Sequence, residues 1–213
     1  LSFASLKAFY RLYFRLKPAL DSLPEGSFII AANHSSHLDT GAVISALSQL
    51  VGGAQAHKLR VLGARDYFFD SPLKGWIFGT LLNVVPIERE ETSLAGLRTA
   101  RTLLERGDPV LIFPEGTRSR TGELQDFKAG LGLMAWELKI PIVPTYISGA
   151  YQALPAGSFL PRPHRLNVTF GSPLNMAKYS AENSGGPKLD LYHQITEDVR
   201  SRIQEMAHAR NPT

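Results

Sequence analysis

Phe28-Ile29-Ile30-Ala31-Ala32-Asn33-His34-Ser35-Ser36-His37-Leu38-Asp39 opens with an uninterrupted apolar run and ends in a loop bearing two histidines and a carboxylate. A short apolar run without alternation reads as a strand buried on both faces. Thr40 to Leu50 follows at helical spacing, with Val43, Ile44 and Leu47 on one side. Strand, loop and helix in that order are the repeating unit of α/β domains, which keep their chemistry in the loops at strand ends.

The same alternation extends outward. Strands are predicted at Arg60 to Ala64, Val84 to Ile87, Val110 to Phe113, Ile140 to Ile147 and Leu166 to Phe170, the last alternating and half-exposed. Helices are predicted at Thr92 to Arg106, with Thr92 or Ser93 as cap and Gly107 as stop, at Lys128 to Leu138 and at Leu189 to Ala209. Pro141 and Pro144 suggest that the fifth strand is an edge or irregular. Tyr67-Phe68-Phe69 starts an aromatic segment continuing to Leu82, which fits core packing first and contact with a membrane second. Pro18 to Gly26 and Ser180 to Pro187 read as connections. The expected fold is one α/β domain, a central mostly parallel or mixed sheet flanked by helices.

Composition narrows the function. The chain of 213 residues is 44% hydrophobic and 20% charged, which excludes general disorder. It has no cysteine, so disulfides, thiolate nucleophiles and cysteine-ligated zinc are excluded. The net charge of +4 resides in the first twenty residues, where Lys7, Arg11, Arg15 and Lys17 meet no acid. The remaining chain is balanced, which removes most of the case for nucleic acid. Residues 1–17 read as a helix with Lys7, Arg11 and Arg15 in one stripe and aromatic and aliphatic residues around the rest. Such a helix lies in a membrane interface, or packs on the domain with its cations in water. The expected division is therefore a basic amphipathic helix at 1–20, a candidate interfacial anchor, and a catalytic domain at 21–213. No apolar run approaches the roughly 18–20 residues of a spanning helix. The start does not follow the basic-then-apolar order of a signal sequence.

Three groups of residues carry chemistry. His34 and Asp39 would stand about 140° apart on a helix. They meet only if His34 lies in the turn before the helix and Asp39 reaches back from its first turn. A carboxylate on one imidazole nitrogen fixes the tautomer and leaves the other to take a proton from a hydroxyl. Taken alone, the short pattern reads first as a capping histidine and a surface aspartate. Phe113-Pro114-Glu115-Gly116-Thr117-Arg118-Ser119 follows a buried strand, where backbone amides, the freedom of Gly116 and the Arg118 fork suit a phosphate. An ordinary turn has the same composition. Arg89, at another strand end, is a second candidate clamp, and Lys128 a weaker one.

In their order along the chain these residues resemble the glycerolipid acyltransferase family, of the lysophosphatidic acid acyltransferase (1-acylglycerol-3-phosphate O-acyltransferase) type. NHSSHLD, holding His34 and Asp39, matches the NHxxxxD block. NVVPIER, closed by Arg89, matches the second block, and FPEGTRS at 113–119 the third. Ile142-Val143-Pro144 matches the fourth. The chain departs from the pattern at Asn83, where glycine is frequent, and after Lys128, where Ala129 and Gly130 replace a second lysine.

The resemblance implies transfer of a fatty acyl group from acyl-CoA or acyl-carrier protein to the hydroxyl of a lysophospholipid, 1-acylglycerol-3-phosphate first among the acceptors. Glycerol-3-phosphate or another lysolipid is the alternative. It implies His34 as general base, Asp39 as its orienter, and Arg89, Glu115, Gly116, Thr117 and Arg118 around the acceptor phosphate, with Lys128 a further contact. No metal or other cofactor is implied. The expected partners are the two substrates and a membrane surface, without nucleic acid, and the expected location is the cytoplasmic face of a membrane. A rival takes His34, His37 and Asp39 as metal ligands of a hydrolase. A second takes the fold as a non-catalytic lipid-binding module. A serine hydrolase is disfavoured, because no Gly-x-Ser-x-Gly elbow is present.

Overall fold

The apolar run after Phe28 forms strand β2, Ile29–Ala32, with all four residues buried. A computed structural model describes residues 3–64, 79–80, 82–87, 94–179 and 187–210. Within them, β2 occupies the middle of a sheet that also holds β1 (Lys17–Leu20), β3 (Arg60–Ala64), β4 (Val84–Ile87), β5 (Val110–Ile112), β6 (Ile142–Ser148) and β7 (Asn167–Phe170). The spatial order is β1-β7-β6-β2-β5-β3-β4. Strands β6, β2, β5, β3 and β4 run parallel, whereas β7 is antiparallel to β6 and carries β1 parallel to itself. The expected α/β sheet is therefore present, and it is mixed.

Alternation along β2 divides the core. Ile30 and Ala32 join one buried cluster, Ile29 and Ala31 the other. Helices α1 (Phe3–Leu12) and α2 (Asp39–Val51) cover the first face, followed by a short α3 (Gly53–Ala56). On the second face lie α4 (Leu94–Glu105), α5 (Gly130–Leu138) and α7 (Lys188–Arg210), while α6 (Ala150–Ala153) follows β6. The chain leaves β2 through α2 toward β3 and leaves β5 through α5 toward β6. Neighbouring parallel strands whose connections depart in opposite directions, on opposite faces, open a crevice at their carboxyl ends.

Three expectations change. The N-terminal helix stops at Leu12 instead of continuing to Lys17. Arg15 takes the left-handed conformation (φ 49°), and the chain turns into β1, where a breaker-rich connection was expected. Lys17 and Asp21 donate to Leu166 and Phe170 of the neighbouring chain segment. By alternation the Pro18 nitrogen faces the open side of this edge strand, where a missing donor costs nothing. Strand β6 is interior, not an edge, despite its prolines. Its pairing with β7 ends at Thr145–Phe170, and Pro144 stands one rung beyond, accepting the Gly171 N–H at 2.9 Å. The absent donor thus falls outside the ladder. Asn83 also has a left-handed backbone (φ 51°), which asparagine tolerates best after glycine. Its Nδ2 holds the His57 and Leu59 carbonyls, at 2.8 and 3.2 Å.

Helix α2 is more enclosed than its apolar stripe predicted. Every residue from Asp39 to Ser48 is buried, because α1 roofs the side away from the sheet. Tyr10 donates its hydroxyl to the Leu38 carbonyl at 2.9 Å, and its ring occupies the space that a Cβ on Gly41 would need. On the opposite face α5 and α7 approach with similar closeness at Gly132, where a Cβ would collide with the Tyr192 carbonyl. The Gly132 amide donates to Thr196 Oγ1 at 3.1 Å. Gly132→Ala is therefore expected to lower unfolding free energy by about 1–3 kcal/mol through overpacking, read from the denaturant midpoint at unchanged slope. Arg89, the segment Tyr67–Phe78 and the cap candidates Thr92 and Ser93 lie outside the described residues.

Candidate active site

At the carboxyl end of β2, Asn33 completes the sheet with its side chain. Its Nδ2 donates to the Ile147 carbonyl (3.0 Å) and its Oδ1 accepts the Ile147 amide (2.7 Å). This replaces a rung just past the last β2–β6 pair, Ala32–Thr145. The backbone can then leave the sheet without stranding polar groups of Ile147.

The turn that follows brings His34 and Asp39 together. His34 Nδ1 lies 2.8 Å from Asp39 Oδ2, and the same oxygen accepts the amides of Ser35 and Ser36 at 2.7 Å each. Asp39 is the first residue of α2, where amides lack intrahelical partners and negative charge is favoured. Because a carboxylate only accepts, Nδ1 carries the hydrogen and Nε2 is the basic nitrogen. Side-chain exposure is 0% for Asp39 and 18% for His34. Asp39 is sealed and His34 is reachable. Burial, and after it the Asp39 charge, push the Tyr10 hydroxyl far above the ordinary phenol range, so the group roofing α2 remains a neutral donor.

The 113–119 loop grips the histidine from the other side, since β5 pairs directly with β2 (Ala31–Ile112). The Phe113 ring stacks on the imidazole with centroids 4.1 Å apart and an interplanar angle of 18°. Glu115 Oε1 accepts the His34 N–H at 2.8 Å, and the Ser119 N–H donates to the His34 carbonyl at 2.8 Å. Ring, amide and carbonyl of one residue are all held by this loop. The resemblance puts Glu115 on the acceptor phosphate; in the structure it is 5% exposed and one of its oxygens holds the His34 amide.

The remaining loop residues face outward. Gly116 has φ 74° and, with Thr117, is exposed. Its amide turns inward to the Phe113 carbonyl, so the Gly116 and Ser119 amides serve the protein and not an anion. The space beside the Gly116 Cα is filled by the Lys128 ammonium, and the Lys128 amide bonds Pro114 at 3.0 Å. Arg118 is half-buried, close enough for its charge to act on His37. His37 lies at the surface with its ring partly enclosed. That desolvation, then the Arg118 and His34 charges, hold its pKa down to about 4, leaving a neutral imidazole at the mouth of the site. Asn33 and Phe113 lie within the matched blocks, yet their roles follow only from seeing where β2 and β5 end.

Among the described residues, no three His, Asp or Glu side chains are grouped to hold an ion. A cavity of about 290 Å³ lies beside Asp21, Pro144, Arg202 and Met206, and neither His34, Asp39 nor the 113–119 loop lines it.

Residues 17–148 match the family described as Acyltransferase, a span holding both halves of this centre. The chain belongs to the acyltransferase family. Among curated acyltransferases it is 33% identical to a 1-acyl-sn-glycerol-3-phosphate acyltransferase of Limnanthes douglasii over 134 residues, 62% of this chain and 46% of the relative. It is 29% identical to a protein of the same name from Bacillus subtilis over 189 residues, 87% of this chain and 84% of that one. Against the Limnanthes douglasii relative and one from Brassica napus the chain spans less than half of their length. The crystal structure of the 1-acyl-sn-glycerophosphate acyltransferase of Thermotoga maritima shares the fold. Its TM-score is 0.68 and its identity 22%, over 96% of this chain and 79% of that one.

Burial, with the Asp39 charge adding and the His34 amide opposing, pushes the Glu115 carboxyl up to about 7 from its ordinary 4.5. Between those values the folded chain keeps a proton that the unfolded chain releases, so stability declines as pH rises. The loss is of the order of 3 kcal/mol, complete above the folded value. Glu115→Gln should flatten this part of the stability–pH profile, measured by denaturant unfolding on both sides of the window.

Proposed function

We propose that the chain transfers a fatty acyl group from a thioester, acyl-CoA or acyl-carrier protein, to the free hydroxyl of 1-acylglycerol-3-phosphate. The observation that carries this reading is the His34–Asp39 contact of 2.8 Å at a strand end, with Arg118 and Lys128 on the adjoining loop. The relatives named 1-acyl-sn-glycerol-3-phosphate acyltransferase support the choice of acceptor.

In the proposed reaction the acceptor phosphate docks at Arg118 and Lys128, with Arg89 a further clamp. A charge-assisted bond of this kind contributes roughly 1.5–3 kcal/mol. The hydroxyl then attacks the thioester carbonyl while its proton passes to His34 Nε2. Asp39 stabilises the imidazolium. Collapse of the tetrahedral intermediate breaks the C–S bond, and the imidazolium protonates the departing thiolate. Base, ester product and thiol are then all in balance. The chain has no cysteine and no nucleophile elbow, so transfer is direct, without an acyl-enzyme. The chain would work at a lipid surface and needs no metal or other cofactor. No described helix is long and apolar enough to cross a membrane.

The test is thiol release from acyl-CoA in the presence of lysophosphatidic acid, then of other lysolipids. His34→Ala should lower kcat by roughly 10²–10⁴-fold or more, the usual contribution of a general base, with the unfolding midpoint nearly unchanged. Turnover close to wild type would overturn the scheme. Arg118→Ala should raise the acceptor KM more than it lowers kcat, and an unaltered acceptor KM would remove Arg118 from the clamp.

A further inference from the structure

Seven large apolar side chains are exposed among the described residues, and five of them, Phe9, Leu12, Tyr13, Phe159 and Leu160, lie on just two segments. The first is α1 and its exit. Leu6, Tyr10 and Phe14 point into the core, whereas Leu12 is 76% exposed on the other side. The second is the loop after α6, where Phe159 is 95% and Leu160 82% exposed.

The two segments are one surface. The Tyr13 hydroxyl donates to the Pro161 carbonyl at 2.9 Å, next to Leu160, and the Tyr13 ring stacks on Phe9 with centroids 5.2 Å apart. The Leu166 amide donates to Phe14 at 3.1 Å and the Arg162 amide to Ala153 at 2.7 Å, which fixes both ends of the loop. The surface lies at the catalytic edge. The loop leaves the carboxyl end of β6, which is parallel to β2, and Ser36 Oγ donates to Leu154 at 2.8 Å.

Charge identifies the occupant. Arg11, Arg15, Arg162 and Arg165 are all exposed on these segments, and neither residues 1–20 nor Leu138 to Ala181 contain an acidic residue. A water-exposed Phe-Leu tip with a purely basic surround fits an anionic lipid surface, the tip entering the acyl region and the arginines meeting headgroups. The geometry points to Phe159 and Leu160 as a second membrane-inserting element, locked to α1 through Tyr13, that seats the catalytic edge on anionic lipid. This deepens the interfacial reading above and rests on its lipid acceptor.

Binding of the whole chain to phosphatidylcholine vesicles, with and without phosphatidylglycerol, tests it. The double variant Phe159→Ser, Leu160→Ser should lose about tenfold or more in affinity for the anionic vesicles. Thiol release with a short-chain, water-soluble lysophosphatidic acid should be unaltered. In a separate Phe159→Trp variant, lipids brominated in the acyl chain should quench fluorescence beyond the wild-type level. Unchanged vesicle affinity, or no added quenching, overturns the assignment. Loss of self-association in the double variant with vesicle affinity intact would give the surface to a second copy of the chain and overturn it as well. Vesicle binding that needs Phe159, in a protein that acylates no lysolipid, would overturn the proposed reaction and leave the lipid contact standing.

Discussion

One oxygen atom organises the active centre. Asp39 Oδ2 accepts from the His34 ring and from the amides of Ser35 and Ser36, so one atom shapes the turn, starts the helix and aims the imidazole. Each function supports the others. The two amides need an acceptor because they precede a helix, and the carboxylate gains a favourable position because it sits at that helix's positive end. A buried charge without such partners would be costly. Here the donors are built into the backbone, so orientation of the imidazole does not depend on a distant side chain.

The second half of the centre comes from the neighbouring strand. Phe113, Glu115 and Ser119 hold His34 at three points, while on the same loop Thr117 is exposed and Arg118 half-buried, with the Lys128 ammonium beside Gly116. A single loop thus has an inner side that fixes His34 and an outer side with cationic groups.

Much of this was legible from residue order. The apolar run at Phe28, the loop after it and the alternation of elements gave the α/β architecture, and the ordered blocks of the resemblance pointed to the contact of His34 with Asp39. Proline was the misleading signal. At Pro18 and Pro144 the missing donor falls on an open edge or just past a ladder's end, which depends on strand neighbours and cannot be seen locally. The contact of Glu115 with His34 was hidden for a related reason. Its loop was expected to face an anion throughout, but which side each residue takes is set by β5 lying against β2. Asn33 was equally opaque, since its partner Ile147 is 114 positions away.

Helix α2 has buried residues on all sides from Asp39 to Ser48, roofed by a Tyr10 that rests on Gly41. A helix with no wet face cannot be moved as a module. The strand, turn and helix that carry the base form a portable motif in sequence but not in space, since half of their covering comes from the chain's first fourteen residues and the strand after them. An attempt to graft the NHSSHLD turn onto another scaffold must therefore supply a roof as well as a sheet.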